Sequence, residues 1–216
     1  RHHLIDEPAT DWIADNLSKD GKLGYDPWLL TPGQVSRYAA ACEQAGGTLV
    51  PVSTNPVDAV WNNQPPPPLA PVWCLDEAFT GETVAAKRRR IADGLSEAGE
   101  DAALLSAPDS IAWLLNVRGG DVPYTPYALS FAIIHADASV DWYVDSRKLM
   151  PDARELAGNE IRLRQPDDLG PTLDDLGKAG KTVRLDPAAA PAWAANRLKD
   201  AAAIIGCGED PCQLAK

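Results

Sequence analysis

Residues 101–144, DAALLSAPDSIAWLLNVRGGDVPYTPYALSFAIIHADASVDWYV, hold the alternation that decides the fold. Asp101–Ser106 is a short, nearly continuous apolar run between polar signals, which reads as a buried strand. Pro108-Asp109 then opens a helix over Pro108–Leu115, with proline suited to its first turn. Tyr127–His135 and Val140–Val144 alternate apolar and polar residues on either side of Ala136-Asp137-Ala138-Ser139, which predicts a β-hairpin. Strand, helix and hairpin in that order imply an α/β fold whose sheet is mixed, with helices flanking it.

Working outward, Glu82–Ala98 predicts a long helix with Val84, Ile91 and Leu95 on one stripe. Strands follow at Glu160–Arg164, Lys181–Leu185 and Ala203–Ile205, with helices at Leu169–Leu176 and Pro191–Asp200 between them. This makes six strands and about four helices after Gly81, a complete mixed-sheet unit. On the N-terminal side, Arg1–Ile5 reads as a strand, Pro8–Leu17 as a helix and Gly21–Pro27 as a strand. Thr31-Pro32 caps a helix over Pro32–Ala45 that stops at Gly46-Gly47, and Thr48–Val52 is the next strand. Three strands are too few for a sheet of ordinary size, so this reads as half a domain. Pro65-Pro66-Pro67-Pro68 excludes helix and central strand and reads as an extended linker rather than a groove-binding PxxP ligand.

Composition narrows the function classes. The 216 residues carry 20 Lys+Arg against 31 Asp+Glu, a net charge of −11, with no dense basic face for a phosphate backbone. The basic run Lys87-Arg88-Arg89-Arg90 lies within the predicted helix and reads as its solvated face. No apolar run approaches the ~18 residues of a membrane span. The cysteines Cys42, Cys74, Cys207 and Cys212 form neither a disulfide framework nor a paired zinc motif. Of the three histidines, His2 and His3 are terminal and His135 ends an apolar strand as a hydrogen-bonded residue at the core edge. The acidic pairs Asp167-Asp168 and Asp174-Asp175 read as solvated residues that compensate helix dipoles. There is no Gly-x-Ser-x-Gly elbow, P-loop or dinucleotide fingerprint.

One loop stands out, Trp113–Pro126. A helix ends, Gly119-Gly120 permit a sharp reversal with positive φ, and Arg118 and Asp121 enter a stretch rich in Pro and Tyr. It is either a rigid connector with an internal Arg118–Asp121 pair, or a surface presenting Arg118 and Tyr124 to a ligand or a neighbouring subunit. The candidate cleft or subunit-contact residues are Asn116, Arg118, Gly119, Asp121, Tyr124 and Pro126.

The run Ser110–Val122, with Pro126 and Ser130-Phe131-Ala132-Ile133-Ile134 after it, resembles the second domain of three-domain Xaa-Pro aminopeptidases (aminopeptidase P). Gly24-Tyr25-Asp26-Pro27 and Val50-Pro51-Val52 look like the end of that family's first domain. Asn55–Trp61 with the prolines is similar to its linker, and Asp210–Lys216 to the lead into its catalytic domain. A departure is Asn63-Gln64, where a charged residue and an Arg are common. The resemblance implies a creatinase/prolidase N-terminal-like fold with residues 1–60 as the end of domain I, 61–80 as linker, 81–208 as domain II and 209–216 as the start of a further linker. It also implies a cytoplasmic, homodimeric hydrolase that removes the N-terminal residue from peptides with proline second. Two divalent ions, typically manganese, serve that reaction in a pita-bread catalytic domain. No metal ligand or catalytic residue carries over to any position here, so no cofactor is expected in this segment, nor a nucleic-acid or membrane partner. The default reading of the large residues Trp61, Trp73 and Trp142 is core packing, and within a homodimer they are also candidates for subunit contacts. The alternative is an inactive aminopeptidase-like module that binds basic protein partners through an acidic surface.

Overall fold

The computed structural model describes residues 6–158 and 160–216, with Leu214 described by its backbone alone. The strand expected at Arg1–Ile5 lies outside the described residues. The chain divides into two compact units, one of residues up to 65 with Pro191–Trp193, the other of residues 66–190 and 194–216.

The first unit contains α1 (Ala9–Asn16), β1 (Lys22–Tyr25), α2 (Pro32–Gln44), β2 (Thr48–Pro51) and α3 (Pro56–Val60). β1 and β2 are parallel, joined through α2 as a βαβ unit. Thr31 starts α2 with a reciprocal cap. Its hydroxyl accepts from the Gln34 amide at 3.3 Å, and its own amide donates to Gln34 Oε1 at 2.8 Å. Ile13, Ala41 and Cys42 form the buried centre, with Leu17, Leu23, Tyr38 and Leu49 against it. Trp28 stacks on Trp193 at 4.0 Å between ring centroids.

The second unit adds β3 (Val72–Cys74), α4 (Glu77–Thr80), α5 (Val84–Glu97), β4 (Ala102–Leu105), α6 (Pro108–Leu114), β5 (Val117–Gly119), β6 (Phe131–His135) and β7 (Val140–Tyr143). It continues with α7 (Pro151–Arg154), β8 (Ile161–Arg164), α8 (Leu169–Lys178), β9 (Thr182–Leu185), α9 (Ala192–Asp200, of which Ala192 and Trp193 count with the first unit) and β10 (Ile204–Cys207). Six strands form one mixed sheet in the order β10-β9-β4-β6-β7-β8. The expected hairpin is β6–β7, antiparallel with Ile133 opposite Asp141. Ile91, Leu95, Ile111 and Leu114 of α5 and α6 pack with Ala103, Leu105, Ile134 and Trp142. Alternation sends Leu104, Ile133 and Tyr143 to the other face, and Leu169, Leu173 and Leu198 of α8 and α9 are buried too.

Four expectations change. Residues 61–71 carry neither helix nor strand, but β3 and α4 form within the expected linker, and β3 pairs antiparallel with β5. Three residues after a proline are too short to show a strand period. Residues 209–216 pack onto the second unit. Cys212 is wholly buried in its core, Arg90 Nη1 donates to the Ala215 carbonyl at 3.2 Å, and Lys216 pairs with Asp109. Trp142, considered for a surface role, is fully buried, whereas Trp61 and Trp73 are about half exposed. Lys87 and Arg88 are buried as well, so the basic run is not a solvated face throughout.

Candidate functional site

The stretch from Asn116 to Pro126 joins α6 to β6 through β5, and its two ends are fixed by different means. Asn116 is buried at φ 51°, so it makes the left-handed turn expected of Gly119-Gly120. Asparagine tolerates that region because its short amide bonds locally. Here Nδ2 donates to Thr80 Oγ1 at 3.0 Å and to the Glu82 carbonyl at 2.9 Å. Oδ1 accepts from Lys87 Nζ at 2.6 Å, and the Lys87 ammonium also donates to the Trp113 carbonyl at 3.0 Å. The ammonium lies 4.7 Å from the centre of the Trp113 ring, which the Arg90 guanidinium also approaches. Burial lowers the Lys87 pKa, Glu82 opposes that, and the Arg118 and Arg90 charges lower it further.

Gly119 lies within β5 and has no positive φ. Its role is close approach, since a Cβ there would stand 2.8 Å from the Ala128 amide nitrogen. Arg118 does not pair with Asp121. Its Nη1 donates to the Val117 carbonyl at 2.8 Å and the Ala112 carbonyl at 3.3 Å, holding the end of α6.

Asp121 is the other anchor. Its carboxylate is fully buried, accepting from the Leu129 amide at 2.7 Å, the Ala70 amide at 3.2 Å and Lys148 Nζ at 2.8 Å. One side chain thereby ties three separate segments together. Above it, Val122–Thr125 forms a tight turn with Tyr124 at φ 61° and fully exposed. Pro126 is exposed while its carbonyl accepts the Gly119 amide at 3.2 Å. The six expected residues thus fall on one loop with divided roles: Asn116, Arg118, Gly119 and Asp121 build its base, and Tyr124 and Pro126 face solvent.

Two contributors escaped the sequence reading. Lys148 lies 27 residues beyond Asp121 and carries no local signal. Lys87 has one: with Val84, Arg88, Ile91 and Leu95 it falls at helical spacing on the apolar stripe of α5.

Two other acidic groups, Asp141 and Asp174, are likewise held by partners within the fold. Asp141 accepts from Arg162, Arg164 and His135 at 2.7–3.0 Å. Burial alone would raise its pKa, but the hydrogen bonds from Arg162, His135 and Arg164 hold it well below the usual carboxylate range. Asp174 is held by Arg197. In the first unit an apolar hollow of about 560 Å³ includes Leu23, Tyr25, Leu29, Tyr38, Leu49 and Val57. The carboxylate on its rim, Asp26, already accepts from the Trp28 amide and from Asn55 Nδ2. Among the described residues no group of three or more His, Cys, Asp or Glu could hold a metal ion, and no helix is long and apolar enough to cross a membrane.

A family model described as Creatinase/Prolidase N-terminal domain matches residues 63–216. The chain is similar to aminopeptidase P1 of Lotus japonicus, 33% identical over 162 residues that cover 74% of this chain and 24% of that protein. It is similar to a probable Xaa-Pro aminopeptidase P of Verticillium alfalfae, 33% identical over 202 residues, covering 90% of this chain and 33% of that one. The X-prolyl aminopeptidase of Caenorhabditis elegans, described as a cytosolic enzyme with a di-nuclear active site, has a similar crystal structure. The TM-score is 0.86 at 26% identity, over 96% of this chain and 34% of that one. The chain therefore spans about a quarter to a third of the length of these relatives.

Proposed function

Because the chain belongs to the creatinase/prolidase N-terminal domain family, we propose that it is the non-catalytic N-terminal portion of a cytoplasmic Xaa-Pro aminopeptidase. The parent enzyme removes the N-terminal residue from peptides with proline in second position and works as a homodimer. The observation that carries this reading is the likeness to X-prolyl aminopeptidase over 96% of the chain. In this role the chain is a scaffold. The anchored base around Asn116 and Asp121 holds the turn at Val122–Tyr124, which forms part of the wall of the peptide cleft.

The parent reaction uses two divalent ions, manganese in this proposal, and the described residues do not fit such a centre. The buried carboxylates that a metal would need are held by Lys148 and by the Arg162, Arg164 and His135 group. No catalytic step is assigned to this chain. The test is to incubate the purified 216-residue chain with an Arg-Pro-Pro peptide and Mn²⁺, beside the same chain joined to a catalytic domain of this family. Release of the N-terminal residue by the joined protein alone is expected. Chelator-sensitive turnover by the 216-residue chain overturns its non-catalytic assignment. An inert joined protein that retains a basic protein such as a histone supports the binding-module alternative, whose basis is the net charge of −11.

A further inference from the structure

The first unit carries a hollow that the scaffold role does not use. β1 and β2 run parallel, and the Val52 amide donates to the Tyr25 carbonyl at 2.9 Å just past their paired residues. Residues 26–28 then leave β1 and residues 53–55 leave β2, and both segments line one hollow of about 650 Å³. Open α/β sheets place their ligands at this end, in the crevice outside the carboxyl ends of parallel strands. Every described residue lining the hollow belongs to the first unit.

Part of the lining is aromatic. Trp28 stacks on Trp193 with the ring planes 19° from parallel. The backbone fixes this stack, since the Trp193 amide donates to the Pro27 carbonyl at 2.9 Å and the Ala192 amide to the Leu30 carbonyl at 2.8 Å. Trp28 is still 45% exposed, so a held indole surface remains open. Another part is acidic. Asp26 accepts from the Trp28 amide through Oδ1 at 2.8 Å and from Asn55 Nδ2 through Oδ2 at 2.9 Å. Each of these oxygens keeps a further acceptor position. Asp58 of α3, which accepts from Gln64 Nε2 at 3.2 Å, is the second carboxylate. Among the described residues no lysine, arginine or histidine lines the hollow, and neither carboxylate has a cationic partner.

We propose that this hollow binds an organic cation, the ammonium or guanidinium head of a small amine or of a basic side chain. Asp26 and Asp58 supply the countercharge, and the indole face attracts a cation through its ring quadrupole. A metal ion fits less well. Two carboxylates fall short of the three or more such ligands a metal site needs, and an indole adds no oxygen donor. An anion meets the repulsion of both carboxylates, and the Val57 amide at the start of α3 is already taken by Asn55 Oδ1 at 2.9 Å. Aromatic rings combined with negative charge and no built-in cation are the arrangement that holds alkylammonium groups elsewhere in proteins. The site is open to solvent, so its carboxylates are partly screened and the binding is weak. The proposal goes beyond the peptidase reading and does not rest on it, because it concerns the first unit alone.

Titration of the isotope-labelled 216-residue chain with butylammonium chloride, followed by nuclear magnetic resonance, tests it. Salt at about 0.15 M screens the general attraction of an acidic chain for cations. Saturable shifts are expected at the indole N–H groups of Trp28 and Trp193, with a dissociation constant of about 1–10 mM. Butanol and pentanoate, which keep the alkyl chain without the positive charge, should leave both signals in place. Trp28→Leu and Asp58→Asn should each weaken binding by about fivefold. Asp58 is exposed and its asparagine can still accept from Gln64, so circular dichroism of Asp58→Asn should be unchanged. An end-blocked Gly-Lys-Gly peptide separates the two sources of the cation. Tighter binding than butylammonium assigns the head group to a peptide side chain, and equal or weaker binding assigns it to a free amine. The proposal is overturned by the absence of saturable shifts at both indoles, by an equal response to butanol or pentanoate, or by an affinity unchanged in both variants.

Discussion

Removing either partner of the Asp121–Lys148 pair should detach the loop base from its neighbours at a cost far above that of a surface ion pair. The Asp121 side chain is 0% exposed and that of Lys148 6%. Loss of one partner from a buried pair typically costs ~3–5 kcal/mol, because the remaining charge stays desolvated. In Lys148→Met the carboxylate keeps its bonds from the Ala70 and Leu129 amides, at 3.2 and 2.7 Å, which places the expected cost near the lower end, about 3 kcal/mol. In Asp121→Asn the ammonium keeps the Leu129 carbonyl at 3.2 Å and an amide oxygen, so about 2–3 kcal/mol is expected. The double variant leaves no unpaired charge and should cost less than the sum of the two singles by about 2 kcal/mol. Urea unfolding followed by circular dichroism measures all three, and amide hydrogen exchange at Ala70 and Leu129 reports whether these bonds open locally. Removal of Lys178, whose pair with Asp175 is 70% and 76% exposed, serves as the control, with an expected effect below ~0.5 kcal/mol. Single variants that cost under about 1 kcal/mol and combine additively would refute the anchoring role of Asp121.

Two further expectations concern the other polar clusters. Asn116→Ala loses the three side-chain hydrogen bonds and also holds alanine at φ 51°, whereas Asn116→Gly loses only the bonds. Denaturation midpoints should therefore place Ala below Gly by about 1 kcal/mol, and equal midpoints would show that the backbone conformation at Asn116 carries no strain. The depressed Asp141 pKa lies below its unfolded value, so its stabilisation is present above the ordinary carboxylate range and is lost as pH falls toward the folded value. Asp141→Asn should flatten the decline of thermal midpoint between about pH 5 and pH 2, and an unchanged slope would exclude this cluster as the source.

How much of this was legible in the sequence depends on the distance between interacting residues. The six strands of the main sheet, the hairpin and the Thr31 cap rest on signals within ten or so residues, and each formed near its expected place. β3 and β5 were not legible, since each is three residues long and exists only through pairing with the other across more than 40 positions. The loop gave a divided outcome for the same reason. Its composition marked the right residues but assigned the turn to Gly119-Gly120 and left open an Arg118–Asp121 pair. In the fold, the turn belongs to Asn116, whose amide reaches Lys87 and Thr80, and the pair is Asp121 with Lys148. A spacing of three between Arg118 and Asp121 suggests a pair only if the backbone between them is helical. Here it is the end of β5, so successive side chains diverge and each ion finds a partner from a remote segment. The buried Lys87 makes the complementary point: helical periodicity placed it on the apolar stripe, and only its charge argued for the surface. Where period and residue type conflict in such a scaffold, the period predicts the position, and the polar atom then finds acceptors there, as Lys87 does at Asn116 and Trp113.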